Sequence, residues 1–93
     1  SLHMAAVFAC NFTNHMYALS ASLLEKQGLP FDAMLPLIDE TARKVHELPP
    51  TQAQTGPAIR RDKNVMDKHL SMLLEEPSMK EIYEKISKNI QEL

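Results

Sequence analysis

Ninety-three residues with a formal charge of −2 leave room for one domain and no cationic surface large enough to hold a nucleic acid. An apolar share of 44% excludes a disordered chain, and no apolar run approaches the roughly 20 residues of a membrane span. Leu, Met, Ala and Ile dominate, Trp is absent and Val occurs only at Val7, Val45 and Val65, a palette that suits helices and gives little material for a sheet.

In chain order, the periodicity predicts a first helix from about Met4 to Lys26, stopped by Gly28. At 100° per residue, Ala5, Phe8, Phe12, Met16, Leu19 and Leu23 fall within an arc of roughly 80°, which predicts one core-facing stripe. Such a helix is about 35 Å long, and its far end needs a partner to cover it. Leu29-Pro30 separates it from a second helix, with Asp32 as expected N-cap, Pro36 near the first turn, and Leu35, Ile38, Ala42 and Val45 inward. Pro49-Pro50 ends that element. A loop from Thr51 to Asp62 follows, with a short helical turn expected inside it.

A third helix is expected over Lys63–Leu74, with Met66, Leu70 and Leu73 inward, and Pro77 breaks it. Ser78 and Glu81 have capping-box spacing for a last helix whose stripe is Met79, Ile82, Ile86, Ile90 and Leu93. Glu76–Lys80, Glu81–Lys85 and Glu84–Lys88 are favourable (i, i+4) pairs and mark its wet side. The expectation is an all-α fold of four helices plus a short turn.

The opposite side of the first helix gathers His3, Val7, Cys10, Asn11, Asn14, Ala18 and Ala21 within roughly 100°. Asn is a mediocre helix former, and its amide both donates and accepts, so it can orient a substrate carbonyl or hydroxyl. Bonds to a neighbouring helix or to water are the commoner reason for polar residues on one side of a surface helix. His3 and Cys10 gain no third ligand by spacing, so no metal site is expected. His69, on or near the inward side of the third helix, reads first as a satisfied core or interface histidine. In the loop, Thr55-Gly56-Pro57 sets a tight turn beside Arg60, Arg61 and Asp62. The two guanidinium groups either hold a carboxylate or phosphate, or pair with Asp62 and with helix C-terminal carbonyls. The only glycines are Gly28 and Gly56, so a glycine-rich dinucleotide turn is excluded. Cys10 is the one cysteine and no leader pattern opens the chain, which fits a reducing cytoplasm.

Taken together, two segments resemble a known family. His3-Met4-Ala5-Ala6-Val7-Phe8-Ala9-Cys10-Asn11-Phe12 with Asn14 resembles the opening helix of a C-terminal domain of uncharacterised function found in Rossmann-like NADP-dependent oxidoreductases. Thr55-Gly56-Pro57, Arg60, Asp62 and His69-Leu70 are similar to that family's second motif, and Pro77 and Tyr83 sit where its last helix has a proline and a tyrosine. Arg61 departs from the pattern, which commonly has Gly there. The resemblance covers essentially residues 1–93. It implies a bundle like the helical C-terminal domains of 6-phosphogluconate dehydrogenase, ketopantoate reductase and pyrroline-5-carboxylate reductase. It further implies an N-terminal Rossmann domain absent from this chain, NADP bound by the parent protein and not by this fragment, and a homodimer. His3, Asn11, Asn14, Thr55, Gly56, Pro57, Arg60, Asp62 and His69 then face a substrate cleft, and the fragment alone is inactive. No lysine precedes Lys26, so the catalytic lysine of some relatives has no counterpart on this helix. The alternative is a free-standing helical interaction module.

Overall fold

A computed structural model describes all of residues 1–93, and every regular element is helical. The chain forms two compact units, Ser1–Thr41 and Ala42–Leu93.

The first unit opens with one uninterrupted helical run. It begins as α1 (Leu2–Ala6), widens into a π-helical segment (Val7–Phe12) and continues as α2 (Thr13–Lys26). The run starts at Leu2, earlier than the expected Met4, because the Ser1 hydroxyl accepts the Met4 N–H at 3.2 Å and caps it. Its end is a complete Schellman closure. Gly28 takes a φ of +70°, its N–H reaches the Glu25 carbonyl, and the Leu29 N–H reaches back to Leu24, both at 3.0 Å. A 3₁₀ turn (Phe31–Met34) then folds against α2, with the Tyr17 and Phe31 rings 6.4 Å apart. Pro30 holds its N-cap position, and Asp32, expected there, lies inside the turn. α3 (Leu35–Lys44) follows, with Pro36 in its first turn, where its missing N–H costs nothing. Of the four residues expected inward on α3 and just beyond, Ile38 is half-buried and Leu35, Ala42 and Val45 are exposed.

The π segment overturns the expected core stripe. A turn closed by i→i+5 bonds carries one residue more than an α turn, so positions after Phe12 are rotated by about 100° from those before Val7. Met16 and Leu19 are half-buried, but Ala5, Phe8, Phe12 and Leu23 are exposed. The half-buried residues of α2 are Thr13, Met16, Tyr17, Leu19, Ser20, Ala21 and Leu24, so the expected stripe is kept there at Met16 and Leu19 and lost at Leu23.

In the second unit, Pro50 and Pro57 each open a one-turn helix, α4 (Pro50–Ala53) and α5 (Pro57–Arg60), inside the expected loop. α6 (Lys63–Met72) is capped by the Asp62 carboxylate, which accepts the Val65 N–H at 3.2 Å. α7 (Pro77–Glu92) begins at its proline, which sits at the first helical position and opens the helix. The expected Ser78–Glu81 capping box therefore does not form, since both residues already lie within α7. The core of this unit is small. Ala58 and Leu73 are its buried apolar residues, with Met66, Leu70, Met79, Ile82 and Ile90 half-buried around them, while Ile86 and Leu93 are exposed. Lys85 pairs with Glu81 at 2.9 Å on the wet side as expected, and Lys63 with Asp67 at 2.7 Å. No helix is long and apolar enough to cross a membrane.

Candidate functional site

The candidate residues fall in two separate neighbourhoods. In the first unit, Cys10 and Asn11 lie within the π segment, and Asn14 follows one residue after it. Here the backbone departs from α geometry, and the Thr13 hydroxyl donates to the Phe8 carbonyl at 3.4 Å across the widened turn. Short π segments inside α-helices cluster at functional positions because the extra residue re-aims the side chains around it. The side chains of His3, Asn11 and Asn14 are exposed and make no hydrogen bond within the chain. The rotation introduced at Val7–Phe12 separates His3 from the face that Asn14 occupies, so the seven-residue polar arc expected of a straight helix does not exist as one surface.

In the second unit, Thr55, Gly56, Pro57, Arg60 and Asp62 form one continuous bend around α5. Gly56 has φ +105° and ψ 173°, a conformation essentially reserved for glycine, which turns the chain so that Pro57 can open α5. Arg61 holds φ +54°, the left-handed geometry that glycine fills at most helix ends. The Arg61 N–H reaches Ala58 O at 3.1 Å and the Asp62 N–H reaches Pro57 O at 2.9 Å, closing α5 as Gly28 closes α2. A residue with a Cβ thus stands in the geometry that glycine most easily fills.

The two arginines have different fates. The Arg61 guanidinium donates to the Gln91 carbonyl at 3.2 Å, in the last turn of α7, while the Gln91 amide donates to Ala58 O at 3.2 Å. These reciprocal bonds tie α5 to the end of α7, where a cation also complements the helix dipole. The Arg60 side chain is exposed and makes no hydrogen bond or ion pair within the chain. Asp62 spends its carboxylate on capping α6. His69 is half-buried, and its Nδ1 shares a 2.8 Å hydrogen bond with the Tyr83 hydroxyl, the rings meeting edge-on at 5.7 Å. Burial raises Tyr83 above the ordinary phenol value, so it stays a neutral partner. Of the loop's candidate residues, Gly56, Pro57 and Asp62 thus carry the local fold, and Thr55 and Arg60 are the exposed side chains without a partner in the chain.

Sequence reasoning missed one feature here, a hollow of about 110 Å³ lined by Thr51, Gln54, Ile59, Ile90 and Leu93. It holds one apolar side chain and is well below the roughly 300 Å³ at which small-molecule pockets begin. Its only sequence signal is the α7 stripe, which reaches Ile90 and Leu93 without a facing apolar element.

Residues 1–90 match the model of a protein family described as Domain of unknown function (DUF2520), and the chain belongs to that family. All of it also superposes on part of a crystal structure of a "putative NADP oxidoreductase" from Bacteroides fragilis, at 68% identity and a TM-score of 0.98. The chain spans 36% of that protein's length. No curated protein matches it.

Proposed function

We propose that this chain is the helical substrate-cleft and dimerisation domain of an NADP-dependent oxidoreductase that transfers hydride between the nicotinamide and a small carbonyl or imine. The observation that carries the reading is the match of the entire chain, at 68% identity, to about a third of a larger protein described as a "putative NADP oxidoreductase". The only two glycines, Gly28 and Gly56, close a helix and set a turn, which leaves no glycine-rich phosphate loop in these residues. NADP is therefore assigned to the remainder of the parent protein, here expected to be an N-terminal Rossmann domain. This chain contributes orientation: Asn11 and Asn14 offer amides beside the π segment, and Arg60 offers an unpaired guanidinium for a carboxylate or phosphate on the substrate.

Exposed surface supports a domain made to be covered. The chain exposes 7387 Å². A compact body of 10.5 kDa would expose about 5,400 Å², and two separate bodies of half that mass about 6,500 Å² together. Leu23 on α2 and Ile86 on α7 are large apolar residues left in water, and dimerisation is assigned to those helices. Asn11→Ala and Asn14→Ala in the longer protein test the cleft assignment. The expected result is a fall in kcat/KM of about tenfold or more with NADPH affinity unchanged, as for loss of orienting hydrogen bonds. Unchanged kcat/KM in both variants refutes it.

A further inference from the structure

The first helical run lacks the charged side chains that most water-facing helices carry. Residues 1–24 contain no Lys, Arg, Asp or Glu, although charged residues make up 24% of the chain; the first is Glu25. A surface helix usually carries charged side chains on the side away from the core, and this run has only His, Asn, Ser and Thr there. Its own unit does not enclose it. From Leu2 to Phe12 only Val7 is even half-buried, and Leu2, Met4, Phe8 and Phe12 stand in water at 88%, 59%, 64% and 49% exposure. Phe8 and Phe12 meet edge-to-face with centroids 5.0 Å apart, a preassembled aromatic pair.

We propose that Leu2–Phe12 is a docking element for the polypeptide of the longer parent protein that lies outside these 93 residues, which covers its apolar side chains Leu2, Met4, Phe8 and Phe12, with the aromatic pair at the centre of the contact, and leaves Asn11 open to the cleft. Three observations favour this occupant over a second copy of the chain. The residues left in water surround the helix, whereas a two-fold contact between copies covers one face. The covering material is available in quantity, because the matching chain in the Bacteroides fragilis structure is mostly polypeptide beyond this domain. The element also carries no charge to hold off a close contact with its own chain. The proposal rests on this chain being part of such a longer protein, but not on what that protein catalyses.

Cys10, exposed within the same element, is the reporter. Alkylation of the Cys10 peptide by a maleimide, followed by mass spectrometry, is compared between the 93-residue chain and the longer protein. The expected result is fast labelling in the chain at every concentration and labelling slowed by about tenfold or more in the longer protein. Equal rates in both overturn the proposal. Protection that appears in the 93-residue chain alone as its concentration rises also overturns it, by making a second copy the occupant. If Cys10 is protected in a longer protein that oxidises no NADPH, the oxidoreductase reading fails and the docking element stands.

Discussion

Arg61 offers a test in which two small substitutions are expected to differ for a single backbone reason. Its φ of +54° costs a residue with a Cβ about 1–2 kcal/mol, a penalty glycine escapes. Its guanidinium recovers part of that through the 3.2 Å bond to Gln91 O, worth about 0.5 kcal/mol at this exposed site. Arg61→Ala keeps the strain and loses the bond, so the second unit is destabilised by about 0.5–1 kcal/mol. Arg61→Gly loses the same bond and sheds the strain, offset by about 0.5–1 kcal/mol of added freedom in the unfolded chain. Its expected stability lies within about 0.5 kcal/mol of the parent and roughly 1 kcal/mol above Arg61→Ala. Urea denaturation followed by far-ultraviolet circular dichroism reads the difference, and a thermal scan of a domain this size should separate the two variants by about 4–8 °C. An alanine variant as stable as the glycine variant would refute the claim that this position keeps glycine geometry.

Gly56→Ala meets no neighbouring atom, because nothing lies within 4 Å of the added carbon, so its whole cost is conformational. A loss of about 1–3 kcal/mol is expected in the same denaturation assay. Leu73→Ala should cost about 2–5 kcal/mol, whereas Leu74→Ala, at 68% exposure, should stay within about 0.5 kcal/mol; thermal melts of the pair check the core assignment. Tyr83 sets a pH dependence. Its folded-state value is raised above 10.0 by burial, so its contribution is complete below that pH and is lost as pH climbs through the folded value. Tyr83→Phe should flatten this alkaline loss and, by stranding His69 Nδ1, cost about 1 kcal/mol near neutrality; denaturant midpoints from about pH 8 to about pH 12 measure both effects.

The all-helical character was legible in the composition, and the punctuation was legible in single residues. Gly28 stops the first run because only a left-handed residue closes a Schellman motif cheaply, and Pro77 marks the α6–α7 boundary, though as the opening residue of α7 and not as a gap. The inward face of α6 was read correctly at Met66, Leu70 and Leu73 because its ten residues keep α geometry throughout. The first helix was not, for the converse reason. Periodicity presumes a constant turn, and the π segment at Val7–Phe12 breaks the register in mid-helix without a Pro or Gly to announce it. Around the loop, the sequence carried both meanings of the arginine pair, and only the fold divides them: the Arg61 side chain is spent on Gln91, and the Arg60 side chain is left unpaired. The partnership of His69 with Tyr83 spans 14 residues and depends on how α6 and α7 pack, which no local pattern encodes.

The assignment to an oxidoreductase is tested most directly by following NADPH oxidation against a panel of small carbonyl and imine compounds. Three forms are compared: the longer protein, the same protein lacking residues 1–93 of this chain, and this chain alone. The account predicts turnover by the longer protein with at least one class of substrate, retained NADPH binding but no turnover in the truncated form, and no turnover by the chain alone. Undiminished turnover in the truncated form would contradict it, since the helical domain would then contribute nothing to the reaction.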